Sequence, residues 1–130
     1  MDVRIYYEDT DAGGVVYHSR YINFLERART EFLRQHGQSV AALHDQGVIF
    51  PVVGIDVKFR SPARLDDLLE VTTRIAQVKN RSFVAHQQVK RKADDKLLVD
   101  AHVALACVGE GMKARSIPQE LRELLVSLLV

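Results

Sequence analysis

Four stretches in the second half of the chain place apolar residues at every second position. They are Val53, Ile55, Val57 and Phe59; Leu69, Val71, Thr73 and Ile75; Phe83, Ala85, Gln87 and Val89; and Leu97, Val99, Ala101, Val103, Leu105 and Cys107. A period of two sets each group on one face of a strand. The breaks between them, at Ser61-Pro62-Ala63-Arg64, Asn80 and Asp94-Asp95, are short and made of turn-forming residues. A parallel crossover needs a dozen or more residues, so the spacing predicts an antiparallel meander with one buried face.

The first half supplies what covers that face. Val3 to Tyr7 alternates as a strand, and Glu8 to Gly14 breaks the pattern with acids and paired glycines. From Ser19 onward, Tyr21, Leu25, Ala28 and Phe32 recur at helical spacing, with Ser19 as a cap and Gly37 just past the end. The spacing predicts a helix of about four turns. Ser39 to Gln46 reads as a short second helix, capped by Ser39 and stopped by Gly47, and Pro118 suits the first turn of a closing helix carrying Leu121, Leu124, Leu125 and Leu128. With no repeat or linker, residues 1–130 are expected to form a single α+β domain, one long helix packed on a curled antiparallel sheet of about five strands. A small sheet covered on one face leaves its edges open, so an obligate oligomer is expected.

Composition narrows the partners. Eighteen Lys and Arg against seventeen Asp and Glu leave a net charge of +1, too weak a field to imply nucleic acid or a membrane surface. No run approaches the ~20 apolar residues of a membrane-spanning helix. Cys107 is the only cysteine, which excludes an internal disulfide and a thiolate metal cage from one chain, and a reducing cytoplasm is the expected location.

Packing explains least about the segment Tyr7-Glu8-Asp9-Thr10-Asp11-Ala12-Gly13-Gly14-Val15-Val16-Tyr17-His18. As a calcium loop it fails, because Gly13 replaces a ligand at the fifth position and Arg20 stands where a bidentate Glu must close the loop. It lacks the spacing of a phosphate-binding loop. Acyl transfer, however, needs a base or nucleophile beside a carbonyl and N–H donors aimed at the developing oxyanion. Asp11 offers the carboxylate, Gly13 and Gly14 permit close backbone approach, and the N–H groups around Tyr17 and His18 lie at the positive end of the helix. The same residues also admit a purely architectural reading, in which Asp9 and Asp11 build turns and His18 precedes the helix as part of its cap.

The remaining polar residues give weaker signals. His36 and His44 fall in the helical regions, His86 and His102 on the strand face opposite the apolar stripe, and no metal site is expected because no ligand motif is present. Cys107 continues an apolar face and reads as a buried, inert thiol. No G-x-S-x-G elbow supports a serine hydrolase. Lys58, Arg60, Arg64, Arg81, Lys90, Arg91 and Lys92 gather at strand ends and turns, where solvated charges are usual and phosphates of a nucleotide-bearing substrate are the functional alternative.

The segment from Tyr7 to His18, followed by Tyr21-Ile22-Asn23-Phe24-Leu25-Glu26-Arg27-Ala28-Arg29, resembles the hotdog-fold acyl-CoA thioesterases of the 4-hydroxybenzoyl-CoA thioesterase type, closest to their Tol-Pal-associated branch. The similarity extends through Pro62-Ala63-Arg64-Leu65-Asp66-Asp67 and covers nearly the whole chain. It implies hydrolysis of acyl-CoA thioesters, with Asp11 as general base or nucleophile and His18 and Tyr7 beside it. It implies that Gly14, Val16 and Tyr17 line the substrate, that backbone N–H groups near His18 polarise the thioester carbonyl, and that Arg60, Arg64 and Arg81 are candidates for the coenzyme A phosphates. No cofactor is implied beyond the coenzyme A of the substrate itself. An acyl carrier protein is the other possible carrier, and a homodimer paired sheet edge to sheet edge, or a homotetramer, is the implied assembly. An ordinary aspartate, with a pKa of about 3.9, is a weak base at neutral pH, so the base route expects Asp11 to be buried. The alternative from another class is an acyl-CoA or acyl-carrier-protein binding or scaffold protein without hydrolysis. A hotdog dehydratase has no visible motif here.

Overall fold

The alternating stretches become the strands of one antiparallel sheet in a computed structural model that describes residues 1–130. These are β2 (Val52–Phe59), β3 (Leu68–Val78), β4 (Ser82–Arg91) and β5 (Lys96–Ala106), with β1 (Asp2–Arg4) at one edge. The strand order is β1-β3-β4-β5-β2. Only β3, β4 and β5 form the predicted meander. β2 pairs with β5 at the far edge and not with β3, its neighbour in sequence. The connection through residues 60–67 therefore joins two strands that are not partners. A curled sheet allows this, because curling brings the ends of its outer strands together and lets a short loop cross between them. The alternation also slips at the start of β5, where Leu98 and Val99 are both buried beside a register shift opposite Val89 and Lys90.

The long helix α1 (His18–Gln35) lies in the concave face. Tyr21, Phe24, Leu25 and Ala28 are buried against Leu69, Val71, Val89, Val99 and Ala101, while Leu33 joins a second cluster with Leu43, Phe83, Val103, Leu121 and Leu125. The helix ends as read from the sequence: Gly37 has φ +80°, its N–H donates to Arg34 O, and Gln38 N–H donates to Leu33 O, the paired bonds of a Schellman stop. The short helix α2 (Val40–Asp45) has Ser39 as its cap, whose Oγ accepts from Ala42 N–H at 3.2 Å. The closing helix α3 (Gln119–Ser127) buries Leu121 and Leu125, and Pro118 is its cap residue, one place earlier than predicted. No helix is long and apolar enough to cross a membrane.

One polar side chain interrupts the apolar stripe. Gln87 is completely buried, donating to Leu25 O at 2.9 Å and Thr73 Oγ1 at 3.0 Å and accepting from Arg29 Nη1 at 3.1 Å. It ties α1 to β3 and β4 with every polar atom engaged, which is what makes its burial tolerable. Leu25, also fully buried, packs in the apolar cluster between α1 and the sheet. Leu25→Ala is expected to destabilise the fold by about 2–5 kcal/mol, read as a lower urea midpoint at fixed protein concentration.

Candidate active site

Asp9 shapes the entry to α1. Its buried carboxylate accepts Tyr6 N–H on Oδ2 at 2.9 Å and meets Arg20 through Oδ1, with Nε at 2.8 Å and Nη2 at 2.6 Å. The first of these bonds turns the chain, so the predicted strand stops at Arg4 and Tyr7–Asp9 forms a 3₁₀ turn. The second sets a negative charge on the first turn of α1, where the helix dipole favours it. The helix accordingly begins at His18, one residue before the predicted cap; Tyr17 takes the cap position without a side-chain bond, and Ser19 lies inside the first turn.

Residues 10–16 then fold back as a narrow loop. Thr10 bridges Val16, Asp11 N–H donates to Val15 O at 2.8 Å, and Val16 N–H donates to Ala63 O at 3.0 Å. The Asp11 Oδ1 atom accepts Gly13 N–H at 2.8 Å and Val15 N–H at 3.3 Å, leaving Oδ2 with no protein partner. A Cβ on Gly13 would sit 3.2 Å from that Oδ1, so glycine lets the backbone close on the carboxylate. Gly14 has φ +78°, a left-handed conformation that L side chains rarely adopt. Gly14→Ala is expected to destabilise the loop by about 1 kcal/mol and to lower turnover more than it lowers the melting temperature, a comparison that thermal unfolding and a rate assay on one preparation provide.

Two N–H groups are left free at the start of the helix that follows this loop. Tyr17 N–H is held by Asp9 O at 3.0 Å and Arg20 N–H by Tyr17 O, but those of His18 and Ser19 have no partner. The expected donors near Tyr17 and His18 are thus those of His18 and Ser19. They point out of the N-terminus of an 18-residue helix, where partial positive charge accumulates.

The His18 ring stacks on Phe59, with centroids 4.3 Å apart and planes 20° from parallel. Tyr21 leans on the same Phe59 and accepts Ala63 N–H on its hydroxyl at 3.1 Å, its own acidity weakened by burial. Val15, Val16, His18, Tyr21, Phe59 and Arg60 line a groove of about 200 Å³. Phe59 and Tyr21 were not among the expected site residues. Phe59 reads in sequence only as the last apolar position of a strand, and nothing there shows that its ring meets the start of the helix.

The other candidates divide by position. Arg64 bridges Val15 across the loop and Arg60 lines the groove, so both stand at the Asp11 end. Arg81 lies in the β3–β4 turn, beyond the far end of an 11-residue strand that spans roughly 35 Å, and one chain does not bring it to the loop. Tyr7 is in the 3₁₀ turn and not in a strand, and its side chain is 82% exposed. Val16 is buried as a core residue, and Tyr17 is exposed. Asp11 is half-exposed in the single chain, not buried as the base route expected. A deeper apolar cavity of about 170 Å³ lies under the second half of α1, lined by Phe32, Leu33, Phe50, Phe83 and Leu105, with Arg29 at its wall. Cys107 is buried, which pushes its thiol up and leaves it inert.

The thioesterase-like superfamily profile matches residues 6–125. The chain is 48% identical over 120 residues to the acyl-CoA thioester hydrolase YbgC of Escherichia coli O6:H1, covering 92% of this chain and 89% of that protein. It is 43% identical over 122 residues to the acyl-CoA thioesterase YbgC of Haemophilus influenzae, covering 92% and 88%. A solved structure of a probable thioesterase from Bartonella henselae superposes with a TM-score of 0.85 at 36% identity, over 91% of this chain and 97% of that one. On fold and sequence together, the chain belongs to the thioesterase-like superfamily and is a hotdog-fold thioesterase.

Proposed function

We propose that the protein hydrolyses acyl-CoA thioesters to the free acid and coenzyme A, with Asp11 as the catalytic carboxylate. The observation that carries this reading is the pairing of a half-free carboxylate with two unpartnered N–H groups at a helix start. The His18 and Ser19 N–H groups receive the thioester oxygen as it becomes an oxyanion, each such donor being worth about 3–4 kcal/mol in comparable sites. Asp11 either takes a proton from the water that attacks the carbonyl carbon or attacks it directly, giving a mixed anhydride that water then opens. In both routes the C–S bond breaks, the thiolate leaves with the electron pair and is protonated, and one water is consumed. The His18 ring, steadied by Phe59, positions the thioester beside the loop.

The surroundings fit this substrate. The apolar cavity along α1 offers an acyl chain its complementary surface, and Arg60 and Arg64 face the phosphates of coenzyme A or an acidic carrier protein. β2 is an eight-residue edge strand with Val53 and Ile55 exposed, an edge that a second copy covers by pairing β2 with β2. That pairing makes the working unit a homodimer, or a homotetramer built from two, and Arg81 enters a site only from the other copy. The cytoplasm, where acyl-CoA is made, is the compartment this reading requires.

Loss of Arg60 or Arg64 is expected to raise KM for acyl-CoA two- to fivefold, the worth of an exposed ion pair of up to about 1 kcal/mol, with kcat unchanged. Steady-state kinetics of Arg60→Ala and Arg64→Ala check this. A rise for Arg81→Ala marks the contribution of a partner copy. The reading as a whole is tested by thiol release from acyl-CoA with and without the Asp11 carboxylate; tight thioester binding with no release at all supports a binding protein instead.

A further inference from the structure

Two histidines that lie 16 positions apart in sequence face each other on the outer side of the sheet. The register of β4 and β5 pairs His86 directly with His102, and their rings stack with centroids 4.4 Å apart and planes 5° from parallel. Asp100, two residues before His102 and so on the same face, accepts from His86 Nε2 at 2.7 Å and from Gln88 Nε2 at 3.1 Å. One ligand atom from each of His86, Asp100 and His102 lies within 4.8 Å of the others. The neighbours of these residues, Ala85, Gln87, Ala101 and Val103, are buried on the opposite face beneath α1. The cluster is therefore separate from the Asp11 loop, and thioester hydrolysis has no use for it.

We propose that His86, His102 and Asp100 bind a divalent transition-metal ion of the zinc class, with the remaining coordination position open to water. Imidazole nitrogen and carboxylate oxygen bond such an ion at about 2.0–2.2 Å, which puts any two ligand atoms roughly 3.3 Å apart in a tetrahedral site. Small rotations of two partly exposed imidazoles about their side-chain torsions close the gap from the present spacing. Two imidazoles with one carboxylate favour zinc, cobalt, nickel or copper over magnesium and calcium, which prefer all-oxygen sites.

The surroundings supply what such a site needs. Gln88 donates to Asp100 Oδ1, the oxygen that His86 also reaches, and so helps to fix the carboxylate, as outer partners of metal ligands do. Of the flanking strands, β2 sets Asp56 opposite His102 and Lys58 opposite Asp100, and β3 sets Arg74 opposite His86, so one acid and two bases border the cluster. All three ligands stand on one hairpin whose register already fixes their order.

The experiment is a titration of the full chain with Zn²⁺ alone against a chromophoric chelator, paired with the visible spectrum of the Co²⁺ form. The expected result is one ion per chain at micromolar affinity, a tetrahedral or five-coordinate Co²⁺ spectrum, and a melting temperature raised by Zn²⁺. His86→Ala and His102→Ala, each checked for an unchanged circular dichroism spectrum, are expected to weaken binding about tenfold or more and to remove the thermal shift. Saturable binding that survives both substitutions places the ion on other histidines and overturns the proposal. So does the absence of saturable binding at micromolar protein, which leaves His86 and Asp100 as an ordinary hydrogen-bonded pair.

Discussion

Replacing Asp11 by asparagine is expected to leave the fold intact and to lower thioester turnover by about two to four orders of magnitude. The two halves of this result have different causes. The architectural work of Asp11 is done by Oδ1, which accepts Gly13 and Val15 N–H. An asparagine carbonyl oxygen in the same place accepts both bonds, so the loop keeps its shape and the helix start keeps its aim. The chemical work requires a negative charge and a free oxygen, and the amide supplies neither. Asp11→Ala is a poorer probe, because it frees the two N–H groups and loosens the loop together with the loss of charge. Unchanged melting with lost thiol release in Asp11→Asn is the signature of a catalytic carboxylate.

Asp9, two residues away, is expected to behave in the opposite way. Asp9→Ala removes the acceptor of Tyr6 N–H and leaves Arg20 without its partner at the base of α1. Breaking a buried ion pair by deleting one side costs about 3–5 kcal/mol, and the partial exposure of Arg20 puts the expected loss near the lower figure. Asp9→Asn keeps an acceptor for Tyr6 N–H and is expected to lose less. Urea unfolding at a fixed protomer concentration measures both, with the slope of the transition unchanged. A loss within about 0.5 kcal/mol for Asp9→Ala, the range of an ordinary surface change, contradicts the role given to this residue. Together the two acids separate what the loop is from what it does.

The helix α1, its stop at Gly37 and the cap at Ser39 were legible because each is a local event, decided by periodicity or by one side chain meeting backbone a few residues away. The role of the Asp11 loop was legible as chemistry, since a carboxylate, paired glycines and a helix start stand within eight residues. What sequence could not show depends on distant partners. β2 joins β5 because the sheet curls, and no loop length reveals that. The strand after Met1 ends early because the Asp9 side chain reaches back to Tyr6. His18 meets Phe59, and His86 meets His102, only through pairings set 41 and 16 residues apart. Arg81 shares its charge with Arg60 and Arg64 but not their end of the sheet, a distinction invisible to composition.

Thiol release from a panel of short, long and aromatic acyl-CoAs, followed with the native protein and folded Asp11→Asn side by side, bears most directly on the proposed activity. The native protein should hydrolyse at least one class, Asp11→Asn the same class at least about a hundredfold more slowly, and the preferred acyl group then describes the cavity along α1. Equal hydrolysis by both proteins would remove Asp11 from the reaction, and no hydrolysis of any thioester by the native protein would refute acyl-CoA as its substrate.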